Sequence, residues 1–74
     1  MKEHDLIVLT DDLPEHGLRQ GDIGTIVHVH ADGAAIEAEF MVGSGQTVAV
    51  LTLPPSRYRA LEDDEILHAR RVTT

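Results

Sequence analysis

The chain contains no cysteine and no tryptophan, and only one phenylalanine and one tyrosine. Without cysteine there are neither disulfides nor thiolate metal ligands, so no cross-link and no zinc ribbon can hold it together. Basic residues are scarce as well: six Lys plus Arg stand against thirteen Asp plus Glu, a formal net charge of −7. That field repels phosphate backbones and disfavours general DNA or RNA binding, while leaving room for a local basic patch. No apolar run approaches the ~20 residues that span a bilayer. The first residues, Met1-Lys2-Glu3-His4-Asp5, lack the apolar stretch of a signal peptide, and a cytoplasmic location is the expectation.

What is present suits one small domain of 74 residues. A chain of this size buries only about 60% of the surface it exposes when unfolded, so its stability must come from apolar packing, with self-association as a further source. Val, Ile, Leu and Ala supply nearly all of the 42% hydrophobic content. A β-branched, aliphatic core favours strands over helices.

Turn signals divide the chain. Asp5 to Thr10 reads as a first strand, and Asp11 to Asp22, with Pro14, Gly17 and Gly21, as a polar loop. Within that loop Asp11-Asp12 could cap a short helical turn, or the segment could be plainly exposed. Gly24 to His30 and Ala35 to Phe40 flank Asp32-Gly33, a pair suited to the two positive φ angles of a tight hairpin turn. A two-residue loop there pairs Val29 with Ile36, Val27 with Ala38 and Thr25 with Phe40 on the apolar face. His28 then faces Glu37, and Ile26 faces Glu39, on the outer face.

Gly43-Ser44-Gly45 makes the next turn, with Ser44-Gly45 as its loop and a bulge as the alternative, and Thr47 to Leu53 is the fourth strand. Its Ala49, Leu51 and Leu53 join the core, while Val48 and Val50 point outward beside Glu39 and Met41. Pro54-Pro55 stops that strand, and Ser56 to Leu61 reads as a short 3₁₀ turn and a fifth strand. The division is therefore a β domain over 1–61 and a tail over 62–74. Acids at Asp63-Asp64-Glu65 and bases at Arg70-Arg71 match a helix dipole, so the tail is expected to form one or two helical turns or a frayed end.

Three stretches taken together resemble a bacterial family known as domain of unknown function 4926. They are Asp5-Leu6-Ile7-Val8-Leu9, Asp12-Leu13-Pro14-Glu15-His16-Gly17-Leu18 and Gly21-Asp22-Ile23-Gly24-Thr25-Ile26-Val27. Ile36 to Phe40 and Gly45 to Leu53 fit the same template, so the resemblance covers roughly residues 5 to 60. It implies a small five-stranded SH3-like β-barrel, and Gly21-Asp22-Ile23-Gly24-Thr25-Ile26-Val27 is also similar to the opening hairpin of KOW-type domains. It supplies no active site, and fold by itself assigns no function. Gly21 and Gly24 are read as permitting tight backbone geometry, and Asp22 as closing an Asx-type turn on nearby amides. With Asp32, Gly33 and Gly45 they form the set of structural turn residues.

Three groups carry candidate chemistry. His28 and His30 project from one strand face and, with Glu37, could ligate a metal; the plainer reading is a surface pair. Arg57, Tyr58 and Arg59 form the one basic, aromatic cluster and could contact RNA by stacking and phosphate binding, although a strand sends Tyr58 to the opposite face from the two arginines. Ile26, Met41, Val48 and Val50 share the outer face in the registers above and make a candidate interface. Either the tail covers them through Ile66, Leu67 and Val72, or a protein partner or second copy does.

No nucleophile elbow surrounds Ser44 or Ser56, and the acidic clusters read as solvated charge. The expectation is a non-enzymatic protein-interaction module without a cofactor. Its role would be that of an accessory, regulatory, antitoxin-like or immunity-like partner of another bacterial protein, masking a basic surface. A nucleic-acid-binding domain and a metal-binding module are the alternatives.

Overall fold

Five antiparallel strands and three 3₁₀ turns make up the regular structure of residues 1–72, the part of the chain that the computed structural model describes. The strands are β1 (Leu6–Leu9), β2 (Ile23–His30), β3 (Ala35–Met41), β4 (Thr47–Leu53) and β5 (Tyr58–Ala60). They form one sheet in the order β4-β3-β2-β1-β5. Each strand expected from the sequence is present, and the turn at Pro55–Arg57 precedes β5 as the proline pair signalled. The closure expected of a barrel is not made: β4 and β5 end the strand order and do not pair with each other. No helix among the described residues is long and apolar enough to cross a membrane.

The β2–β3 hairpin follows the expected register only near its turn. Asp32 and Gly33 have φ of 58° and 97°, as the turn required, and Val29 faces Ile36 while His28 faces Glu37. A bulge between Ile26 and His28 then shifts the pairing by one residue, so Ile26 faces Ala38 and Thr25 faces Glu39. A one-residue slip exchanges the two faces of a strand. Ile26, expected on the outer face, is therefore fully buried, and Val27, expected in the core, is exposed.

The physical reason lies in Phe40. Its ring packs so close to Gly24 that a Cβ there would stand 2.7 Å from the ring. Without the bulge Phe40 would oppose Thr25; with it, the position bearing no side chain lies under the ring.

The β3–β4 pairing matches the expected register from Ile36↔Leu53 to Phe40↔Ala49 and then shifts at Met41↔Thr47. Val50 and Met41 stay outside, each 52% exposed, but Val48 turns in and packs against the core. Ile7, Leu9, Leu13, Leu18, Ile26, Ile36, Ala38, Phe40 and Leu53 form that core. Full burial of one such aliphatic side chain is worth ~1.5–3 kcal/mol.

The loop between β1 and β2 is neither plainly exposed nor capped by Asp11-Asp12. Leu13 and Leu18 bridge each other and bury into the core around a 3₁₀ turn at Pro14–His16, whose N-cap is Leu13 without a side-chain bond. Asp12 instead accepts from the Gln20 amide at 2.9 Å. Of the two readings of the tail, the helical turns are absent from the described residues: beyond β5 only a turn at Asp63-Asp64 interrupts an irregular path. Thr73 and Thr74, the end of the expected 62–74 tail, lie outside the described residues. Two of the charges read as helix-dipole partners, Glu65 and Arg70, are used across the fold instead, as the site below makes clear.

Candidate functional site

Asp22 is the only charged or polar residue buried among those described, at 8% exposure. It ends the β1–β2 loop just before β2, and bonds from two backbone amides hold it, one within the loop and one from β1. Its carboxylate Oδ2 accepts from the Arg19 amide at 2.8 Å, and its carbonyl accepts from the Leu9 amide at 2.9 Å. The Asx-type role expected of it is present, but a larger one accompanies it.

The tail crosses the body beside this residue. Arg70 donates from Nε to Asp22 Oδ1 at 2.8 Å, from Nη2 to Oδ2, and from the same Nη2 to the Gly17 carbonyl at 3.0 Å. His68 Nε2 stands 3.2 Å from Oδ1. With the carboxylate ionised, that ring nitrogen must carry the proton. A two-pronged guanidinium–carboxylate contact is among the stronger polar contacts available to a protein. Burial pushes the Asp22 carboxyl up, and the bonds from Arg70, the Arg19 amide and His68 together outweigh it, so it titrates below the ordinary carboxylate value. Arg70 is raised in turn by its bond to Asp22.

Body and tail enclose a cleft of about 320 Å³ here. Leu18, Ile23, Phe40 and Val48 give it an apolar floor, Asp22 a charged end, and Met41, Val42 and Gly43 a rim. His68, Ala69, Arg70 and Val72 form the tail side. Sequence reasoning treated Arg70 as a dipole partner and missed this pairing. The available signal was a lone Asp beside two glycines in an apolar setting, a residue that needs a cation if buried.

The other candidates are placed as follows. The interface set is split: Ile26 is in the core, Val48 half-buried in the cleft, and Met41 and Val50 exposed on the outer face. The tail does not cover that face through Ile66 and Leu67, which are 91% and 62% exposed; Val72 alone reaches the cleft. Gly21, Gly33 and Gly45 all carry positive φ, and Gly43 is free of close neighbours.

His28 and His30 share a face as expected, with ring centroids 4.5 Å apart, edge to face. His30 Nε2 lies 3.2 Å from Glu37 Oε2, whereas His28 Nδ1 turns toward Glu3 Oε2 at 4.0 Å. The three side chains do not converge, and among the described residues no three His, Cys, Asp or Glu are grouped to hold a metal ion.

In the basic cluster each arginine has an acidic neighbour. Arg57 Nε is 3.7 Å from Asp11 Oδ2, and Arg59 grips both oxygens of Glu65 at 2.7 Å each. Arg59's bond, with that from the Glu62 amide, lowers the Glu65 carboxyl to about 2. Tyr58 packs against the core on the other face.

The family described as Domain of unknown function (DUF4926) matches residues 3–59. The chain belongs to that family, as its sequence resemblance implied. The match contains Asp22 and the whole body side of the cleft, and stops before the tail. No curated protein and no solved structure matches the chain.

Proposed function

We propose that this member of the family is a small, acidic, non-enzymatic protein-interaction module on an SH3-like frame, working in the cytoplasm as an accessory or neutralising partner of another protein. The observation that carries this reading is the pair Met41 and Val50, each 52% exposed on the outer face of β3 and β4 and left uncovered by the tail. Apolar side chains presented together on a solvent-facing sheet mark an interface more often than isolated ones do. Met41 also rims the cleft, so the outer face and the cleft form one continuous surface. A net charge of −7 favours a partner with a basic surface, speeding encounter and setting orientation.

The test uses the tagged full chain as bait in an extract of its source at low and moderate salt. The expected result is one protein recovered in near-equal amount, held less well at moderate salt and lost when Met41→Glu and Val50→Glu are combined. Recovery of the bait alone at both salt concentrations would overturn the reading.

A further inference from the structure

We infer that Asp22 and the Gly17 carbonyl form a receptor for an arginine side chain, filled by Arg70 in the free chain and by an arginine-bearing extended segment of the partner in the complex. This deepens the interaction reading above and rests on it.

Both halves of the receptor belong to the body. Asp22 is oriented before any cation arrives, because its Oδ2 is held by the Arg19 amide at 2.8 Å. Gly17, with φ of 70°, ends the 3₁₀ turn at Pro14–His16 in the left-handed conformation. Its carbonyl meets the second guanidinium nitrogen at 3.0 Å. A planar donor fork fits such an arrangement, and a lysine ammonium cannot reproduce it.

The occupant has a different character from its receptor. Arg70 lies beyond the 3–59 region that defines the family, on a segment without helix or strand. Ile66 and Leu67, four and three residues before it, bury little against the body, at 91% and 62% exposure. The tail is thus held at the cleft by its polar contacts and by Val72 rather than by a broad apolar face. An extended peptide with an arginine and a following apolar residue would make the same contacts. It would meet the same floor of Leu18, Phe40 and Val48.

Charge makes this an exchange rather than a simple opening. The tail itself covers the Asp22 carboxylate, so the tail leaves most readily when another guanidinium remakes the two-pronged, charge-assisted pairing it gives up. The acidic body attracts such a segment from solution. A tethered competitor of this kind acts at an effective concentration on the order of millimolar, so it masks the site from weak ligands.

The test titrates full-length chains with a fluorescent synthetic peptide copying residues 65–72. The Arg70→Ala chain should bind it at least tenfold more tightly than the wild type. Binding should fall at least tenfold when the peptide carries Arg70→Gln or Arg70→Lys, and likewise when Asp22→Asn is added to the Arg70→Ala chain. If the Arg70→Ala chain does not fold, the wild type is titrated at millimolar peptide. The Ala69 amide resonance should then move to its free-peptide position, while those of Arg19 and Asp22, which meet the same contacts from the peptide, stay near their original places.

Binding indifferent to the arginine, or no displacement of Ala69, would overturn the receptor. So would a wild-type dimer in sedimentation that Arg70→Ala abolishes, since the occupant would then be the tail of a second copy. A partner captured as above and retained equally by the Asp22→Asn and wild-type chains would leave the interaction reading standing and remove this one.

Discussion

The body and the tail are held by opposite kinds of force. In the body Ile7, Leu9, Ile26 and Ile36 are almost completely buried, and the strands that carry them pair along their length. The tail leaves Ile66 and Leu67 in solvent and attaches through directed contacts, Arg70 to Asp22 and Gly17, and Glu65 back to Arg59. Apolar burial is nondirectional and insensitive to carboxylate titration. A charge-assisted contact depends on geometry, protonation and, where exposed, on salt. The body should therefore behave as a cooperative unit, and the tail as an attachment that conditions can loosen.

The severest way to break that contrast is to open the core. Ile36→Ala removes a fully buried side chain opposite Val29 and Leu53 and should cost about 3 kcal/mol, read as a lower denaturant midpoint for body and tail together. Gly24→Ala should follow, at about 2 kcal/mol, because its Cβ would stand 2.7 Å from the Phe40 ring; pairing it with Phe40→Leu should recover part of the loss.

A test on the tail side sharpens the contrast. Asp22→Asn should cost about 1–2 kcal/mol, with hydrogen exchange rising first at residues 68–70 while β2 and β3 stay protected. Equal loss of protection in tail and strands would erase the distinction between the regions.

Acid should do reversibly what that substitution does permanently. The folded Asp22 carboxyl lies below the ordinary value of about 3.9. Its contribution is complete above that ordinary value and disappears as pH falls through the lower folded one. Monitoring Ala69 and Ile36 amides from pH 7 to 2 should show the tail reporting this titration before the core does. The smallest effect is expected for Glu65→Gln, which frees Arg59 on the surface and should leave the denaturant midpoint unmoved.

The body was largely legible because its signals were local and agreed with one another. Asp32-Gly33 announced the turn, alternation placed Ile36 and Ala38 inside, and the proline pair ended β4 at Leu53. The bulge near Val27 was not legible, since β2 alternates equally well in either register. What decides between them is the close approach of Phe40 to Gly24, a contact between residues sixteen positions apart that no short window of the chain reveals.

The tail misled for a related reason. Its acid-to-base gradient satisfies a helix dipole, but two of those charges, Glu65 and Arg70, find partners in β5 and in the β1–β2 loop. Local propensity is a weak prior where few apolar residues pin a segment. Arg70 and Asp22 are 48 positions apart, and only the folded loop brings them together.

The unpaired ends of the sheet bear on how the protein behaves at high concentration. β4 hydrogen-bonds to β3 alone, which leaves its far side able to template another strand, and its sequence from Thr47 to Leu53 contains no lysine or proline to discourage this. At neutral pH the shared negative charge opposes such edge-to-edge contact. As acid removes that charge, solubility should fall sharply while the fold is still intact, with edge-to-edge stacking as the route to precipitation.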